Sequence, residues 1–303
     1  MHNSGDDIRF YRASSIEEAV ALLAERPATP IAGGTDLIVK WRAEQEYPSS
    51  LIDISPIDEL RRITLSGTHV SIGALTSFSS IAAHEGIMSR IPILCEAALS
   101  VGSPQIRNRG TLGGNLANAS PAADLAPVLA AVDARVHLIS ARERRSLPVS
   151  EFLTGTETTA LREGELIEYV DFDVPENHGM SFEKFGRRNA QSVARLNGAC
   201  WIRWMAEKKG NEGGKGSLHA SHVIDDVCVI VGSATPTPLF VQEAQELLKG
   251  KAPELALFEE IAERAWEKVE AITGVRESRE YKRPAVRRLV SELLVEATGM
   301  EEM

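Results

Sequence analysis

Gly102-Ser103-Pro104-Gln105-Ile106-Arg107-Asn108-Arg109-Gly110-Thr111-Leu112-Gly113-Gly114-Asn115-Leu116-Ala117-Asn118 carries too many Gly and Asn residues to predict a regular helix. It lies between two segments that do read as helices, Pro92 to Ser100 and the apolar Ala122 to Val132. Its centre, Thr111-Leu112-Gly113-Gly114-Asn115, is a double-glycine turn with a hydroxyl on one side and an amide on the other. A related turn occurs earlier, where Pro30-Ile31-Ala32-Gly33-Gly34-Thr35-Asp36-Leu37 runs a short apolar strand into two glycines, a hydroxyl and a carboxylate. Glycines permit positive φ and remove the Cβ wall, so successive N–H groups can converge on an anion. Neutral donors of this kind let an acidic chain hold a diphosphate without a basic patch. One such turn is ordinarily only a turn; two in one α/β region point to a dinucleotide site.

The surrounding pattern gives the architecture. Ser14-Ser15-Ile16-Glu17-Glu18 reads as a capped helix start, with Ile16, Ala19, Val20, Leu22 and Leu23 at helical spacing. Pro27 and Pro30 end that helix, Ile31-Ala32 and Leu51-Ile52-Asp53-Ile54 read as strands, and a βαβ-like unit spans about residues 8–56. Val70 to Gly73 alternates as a half-buried strand, Ser77 caps an Ala-rich helix to about His84, and Arg135 to Ile139 and Glu165 to Phe172 are further strands. A boundary is expected near 175–179. Beyond it, Ala199 to Met205 and Val227 to Gly232 read as strands. From Val241 the pattern is helical, broken at Gly250, Pro253 and Thr273-Gly274, and it ends in a helix from Arg276 to Ala297 that Pro284 should start or kink. Strands first and helices second predict an α+β region with a sheet covered by helices.

Composition excludes several classes. Acidic residues outnumber basic ones, 43 to 33, for a net charge of −10, so a nucleic-acid partner is not expected. The three cysteines, Cys95, Cys200 and Cys228, are scattered, which excludes a disulfide scaffold, a four-cysteine zinc site and an iron–sulfur cluster held by this chain alone. They read as buried thiols of a reduced compartment. The polar N-terminus lacks a signal-peptide core and no apolar run approaches the length of a membrane span, so the cytoplasm is expected. His219 and His222 stand near Asp225 and Asp226, but a solvated loop accounts for them without a metal. Lys208 to Ser217 is a flexible loop without P-loop spacing. No catalytic acid, base or nucleophile stands out.

The two glycine turns, together with Ser120-Pro121-Ala122-Ala123-Asp124-Leu125-Ala126-Pro127 after the second and Phe182-Glu183-Lys184-Phe185-Gly186-Arg187-Arg188 further on, resemble the FAD-binding (medium) subunits of molybdenum hydroxylases. This is the xanthine dehydrogenase and carbon monoxide dehydrogenase group, and the likeness keeps its order from about residue 8 to about residue 295. It implies a two-lobed FAD-binding domain of the vanillyl-alcohol oxidase type over 1–176, with lobes of about 1–56 and 57–176. A smaller α+β domain, an antiparallel sheet plus helices, would follow over 177–303. Residue by residue, Ala32, Gly33, Gly34, Thr35 and Asp36 would line the first diphosphate loop, flanked by Ile31 and Leu37. Thr111, Gly113, Gly114 and Asn115 would form the second loop. Asp124 would lie near the flavin, Val101 and Ile167 would be apolar contacts around it, and Lys184 would sit at the pocket edge. The plain alternatives are core for Val101 and Ile167, a helix N-cap for Asp124 and a solvated strand-end charge for Lys184.

The same likeness implies an electron-transfer role. Electrons would come from [2Fe-2S] clusters on a partner subunit, a large partner would hold the molybdenum cofactor, and the acceptor would be NAD, a quinone or oxygen. Neither glycine loop holds a His or Cys, so the FAD is expected to be non-covalent. A family aromatic in the loop matching Phe152-Leu153-Thr154-Gly155-Thr156 is replaced by Thr156. Two other readings remain: a stand-alone FAD-dependent reductase on this fold, similar to UDP-N-acetylenolpyruvoylglucosamine reductase, and a scaffold in which the turns are only turns.

Overall fold

The computed structural model describes residues 8–188, 191–205, 223–275 and 279–300. The chain opens as β1 (Arg9–Arg12), α1 (Ile16–Glu25), β2 (Thr29–Ile31), α2 (Leu37–Glu44) and β3 (Ser50–Asp53). The strands form a parallel sheet in the order β1-β3-β2, the crossover arrangement that the βαβ pattern predicts. Ser15 caps α1 by accepting from the Glu18 N–H at 3.1 Å, and the Glu18 carboxylate accepts from the Ser14 N–H at 2.8 Å. The helix buries Ile16, Ala19, Val20 and Leu23 in one cluster with Ile52 and Ile57.

Next come β4 (Ile63–Ser66), β5 (His69–Gly73) and six short helices: α3 (Phe78–Ala82), α4 (Glu85–Arg90), α5 (Pro92–Ser100), α6 (Pro104–Arg109), α7 (Leu112–Asn118) and α8 (Leu125–Ala131). Then follow β6 (Arg135–Ile139), β7 (Arg144–Pro148), α9 (Val149–Phe152), the hairpin β8 (Leu153–Gly155) and β9 (Thr158–Thr159), and β10 (Leu166–Asp173). An antiparallel sheet in the order β4-β5-β10-β6-β7 turns Val70, Ile72, Val136, Leu138, Val170 and Phe172 toward the helices. Alternate residues face away, among them His137 and Asp171, whose Nε2 and Oδ1 are 2.9 Å apart.

Residues 102–118 depart from expectation. The predicted irregular stretch is two short helices, α6 and α7, broken at Gly110. Local capping outweighs the poor propensities: Ser103 caps α6 ahead of Pro104, and Thr111 caps α7 by accepting from the Gly114 N–H at 3.1 Å.

The third unit is an antiparallel sheet, β11 (His178–Gly186), β12 (Ala194–Trp204), β13 (Ile224–Gly232) and β14 (Leu239–Phe240), followed by α10 (Gln242–Leu248), α11 (Leu255–Thr273) and α12 (Arg279–Thr298). Both of its faces are covered. On β12, Cys200 and Ile202 pack with α11 and α12, whereas Ala199 belongs to the core around α5 and α8. Two buried faces explain why β12 and β13 read as apolar runs without clear alternation. The helical face is regular: α12 buries Val286, Leu289, Val290, Leu293, Leu294 and Ala297, the spacing of a core stripe. Pro284 does not start this helix; it lies inside the second turn.

Cys95, Cys200 and Cys228 are buried and free. Burial pushes the Cys95 thiol up to about 11 and the Cys228 thiol up to about 12, so neither is a reactive thiolate. No helix among the described residues is long and apolar enough to cross a membrane. Asp225 and Asp226 are not offered to a metal: Arg203 Nε lies 2.7 Å from Asp225 Oδ2 and Nη2 lies 3.4 Å from Asp226 Oδ2. His219, His222 and the loop 208–217 lie outside the described residues.

Candidate functional site

Two chain segments of unlike origin meet at one point. The first turn leaves β2 at Ile31 and enters α2 at Leu37. The second joins α6 to α7 and is fixed against the end of β5 by main-chain bonds. Leu112 N–H donates to Thr76 O at 3.0 Å, Gly113 N–H to Ala74 O at 2.8 Å, and Phe78 N–H to Gly110 O at 3.2 Å. The turns touch through Gly33, where a Cβ would lie 1.9 Å from the Arg109 carbonyl oxygen. No side chain fits there, and glycine is what lets the two backbones approach. Gly34 has φ of +70°, the left-handed region that glycine enters without strain.

The turns differ in what they offer a ligand. In the second, the N–H groups of Leu112, Gly113, Gly114 and Asn115 all have acceptors within the chain. In the first, none of the described residues accepts from the N–H groups of Gly33, Gly34 or Thr35. The free backbone donors therefore belong to the first turn. The second contributes close backbone packing, the solvent-facing Gly114 and the Asn115 side chain, whose Oδ1 is buried without a partner. An acceptor orphaned beside a set of free donors suits a polar ligand between them.

The turns form the floor of a cleft of about 690 Å³. Ala32, Gly33, Gly34, Thr35, Asp36, Leu37, Thr111, Gly113, Gly114, Asn115 and Ile167 all line it. Ile31 flanks it without lining it, and Val101, partly buried against the main core, does not reach it. Thr156 is exposed at the β8–β9 turn, and its neighbour Glu157 is the residue on the cleft wall.

The wall Leu161–Ile167 is held by a fork. Arg145 Nε and Nη2 donate to the two carboxylate oxygens of Glu165 at 2.7 and 2.8 Å, Nη2 also reaches Ala160 O, and Glu165 accepts from the Arg162 N–H at 2.8 Å. Burial raises the Glu165 pKa, but these donors outweigh it and leave the carboxyl below its ordinary value. A pKa lowered by folding contributes stability above the unfolded pKa and loses it as pH falls through the folded one. Glu165→Gln is therefore expected to cost about 2 kcal/mol at neutral pH, as for hydrogen bonds to charged groups. In urea unfolding, the gap to the unsubstituted chain should close on acidification below the carboxylate range.

Asp124 and Lys184 are brought together, though not on the cleft. The Lys184 ammonium donates to Asp124 Oδ2 and, at 2.9 Å, to Ser100 O; Asn197 Nδ2 donates to Asp124 Oδ1 at 3.1 Å. Asp124 does stand at the N-cap position of α8, but its side chain makes no capping bond and is turned to Lys184 and Asn197 instead. Lys184 is not a solvated charge: the Lys184 and Asp124 side chains are 12% and 7% exposed. Burial pushes the Asp124 carboxyl above its ordinary value even with the ammonium beside it. Lys184 also lines a second cavity of about 760 Å³, with Arg107, Arg188, Arg288, Phe185 and Tyr281 among its walls. The motif-based reading missed two features here. One is this basic cavity, whose arginines come from three separate segments. The other is the cleft face of α2, whose Leu37, Lys40, Trp41 and Glu44 stand at i, i+3, i+4 and i+7.

Comparison with known proteins agrees with this arrangement. Residues 6–175 match the family described as the FAD binding domain in molybdopterin dehydrogenase, and residues 180–297 match the CO dehydrogenase flavoprotein C-terminal domain. The nicotinate dehydrogenase FAD-subunit of Eubacterium barkeri is 32% identical over 96% of this chain and 96% of its own length. The 6-hydroxypseudooxynicotine dehydrogenase complex subunit alpha of Paenarthrobacter nicotinovorans is 33% identical over 94% of this chain and 92% of its own. Among solved structures, carbon monoxide dehydrogenase from Hydrogenophaga pseudoflava superposes with a TM-score of 0.84 at 28% identity, over 96% of this chain and 97% of that one.

Proposed function

Because the chain belongs to the FAD-binding subunits of the molybdopterin dehydrogenases, oxidoreductases of the xanthine dehydrogenase and carbon monoxide dehydrogenase group, we propose that it holds non-covalent FAD between an iron–sulfur subunit and an external electron acceptor. A large molybdenum subunit would complete a heterotrimer and carry out the hydroxylation, leaving this chain an electron-transfer role. The observation that supports this most is the contact of the two turns through Gly33, beneath the free N–H groups of Gly33, Gly34 and Thr35 and beside the orphaned Asn115 Oδ1.

On this reading the first turn holds the diphosphate by its backbone, and Thr111, Gly113, Gly114 and Asn115 close the other side. Ile167 contributes an apolar contact, Ile31 and Leu37 flank the first turn, and Val101, Asp124 and Lys184, which lie off the cleft, would meet only a part of the cofactor that extends beyond it. When bound, FAD supplies the exchange between one-electron and two-electron chemistry. The division into 1–176, with lobes of about 1–56 and 57–176, and 177–303 belongs to the same proposal. The buried free thiols and the lack of a membrane helix among the described residues suit a cytoplasmic complex.

The test is the visible spectrum after desalting, with the released flavin identified, on the isolated chain and on the chain co-expressed with its partners. Stoichiometric FAD supports the reading. No flavin in either preparation overturns it.

The second cavity favours an acceptor that carries phosphate, such as NAD, over a quinone or oxygen, because Arg107 and Arg188 line it and, among the described residues, donate to main-chain carbonyls rather than to carboxylates, whereas Lys184 and Arg288 are paired with Asp124 and Glu292. Arg188→Glu is expected to raise the KM for NAD about tenfold, on the scale of 1.4 kcal/mol, with FAD content and the rate toward a neutral quinone unchanged. An unmoved KM would place the acceptor elsewhere.

A further inference from the structure

We infer that α2 is the adenosine wall of the cleft and that Trp41 stacks on the adenine ring; this rests on the FAD reading above and extends it to residues that the glycine motifs do not include. A helix normally buries one face against its own protein. α2 buries none of its residues, yet Leu37, Lys40, Trp41 and Glu44 form a single stripe that lines the cleft. The packing partner of that stripe is whatever fills the cleft.

Charge and shape select the adenosine half of the dinucleotide. Trp41 is half-buried and offers the broad face of an indole, with Tyr47 just past the helix on the same cleft. Glu44 and Glu46 stand alongside them. Carboxylates repel a diphosphate and disfavour a flavin ring that gains negative charge on reduction. They suit adenosine, which presents an exocyclic amine and ribose hydroxyls, all donors. The stripe is held in place from across the cleft, where Lys40 Nζ pairs with Glu157 Oε2 of the β8–β9 turn at 2.6 Å.

The test uses Trp41→Ala and Trp41→Phe in whichever preparation retains FAD, freed of flavin and titrated with FAD, FMN and ADP. The expected result is that Trp41→Ala weakens FAD and ADP about 10- to 100-fold, the range of base–aromatic stacking, and leaves FMN unchanged. Trp41→Phe should stay near the unsubstituted affinity. ADP should quench indole emission in the unsubstituted chain and not in Trp41→Phe. Because α2 buries nothing in the protein, circular dichroism should be unchanged in both variants. Equal weakening of FAD and FMN would overturn the inference by putting the flavin ring on Trp41. Unchanged FAD affinity in Trp41→Ala would overturn it while leaving the FAD reading intact. An unsubstituted chain that retains no FAD in any preparation overturns both.

Discussion

Gly33→Val and Gly114→Val should each leave the protein with little or no retained flavin, but the first should weaken the fold more than the second. The Cβ of residue 33 would sit 1.9 Å from the Arg109 carbonyl oxygen and 2.6 Å from its carbon, so the two turns must separate before any side chain fits. Overpacking of this kind costs about 1–3 kcal/mol, and it falls on the contact that aligns the free N–H groups with Asn115. Gly114 is different. It faces the cleft, and its Cβ would meet only the Thr111 hydroxyl, at 2.9 Å. Valine there fills ligand space and disturbs one cap, an effect of about 1 kcal/mol on unfolding. Flavin content after desalting and thermal unfolding of the flavin-free chain, measured side by side, separate the two. If Gly33→Val retains FAD, the turns are scaffold and the proposed site is wrong. If Gly114→Val unfolds as readily as Gly33→Val, the roles assigned to the two glycines are wrong.

The same contrast explains what could be read in advance. A double glycine announces a place where backbone must come close, but not what it approaches; that Gly33 meets Arg109 depends on folding two distant segments together. Long elements with one apolar stripe, such as α11 and α12, were legible because burial imposes a period on the sequence. Short strands were not. β1 is largely exposed, and β14 has two residues, so neither carries a pattern long enough to recognise. Residues 102–118 misled for the opposite reason: intrinsic propensity spoke against helix, and two capping side chains outweighed it.

The site divided along similar lines. The two turns stood out as a candidate anion site, because a pair of double glycines flanked by Thr and Asp or Asn in one region asks for more than a tight turn. Asp124 and Lys184 were reached only through family likeness. Sixty positions separate them, and each has an ordinary explanation by itself. The α2 stripe went unread, and its i, i+3, i+4, i+7 pattern would by itself be the usual mark of a core face. Only the finding that α2 buries nothing changes its meaning.

Lys184→Met should destabilise the protein by about 3–5 kcal/mol at neutral pH, the cost of leaving a buried charge without its partner. The loss should fade on acidification. Asp124 lies 7% exposed between Lys184 and Asn197, and burial already raises its pKa against the pull of the ammonium. Removing the ammonium raises it further. An acid whose pKa is raised by folding weakens the native state as pH climbs from the unfolded value to the folded one, and has no such effect below both. The variant should therefore approach the unsubstituted chain in stability near the ordinary carboxylate pKa and fall behind as pH rises. Adding Asp124→Asn should recover most of the loss at neutral pH, because the amide needs no counter-charge and Asn197 can still donate to it. Urea unfolding of the four chains at several pH values gives the coupling directly. A loss that is flat with pH, or a double variant no better than Lys184→Met, would mean that the pair is not what Lys184 supports. Flavin retention in the double variant then reports separately on the proposed edge of the site: with stability restored, a shortfall in FAD would mark Lys184 as a contact of the cofactor as well as the partner of Asp124.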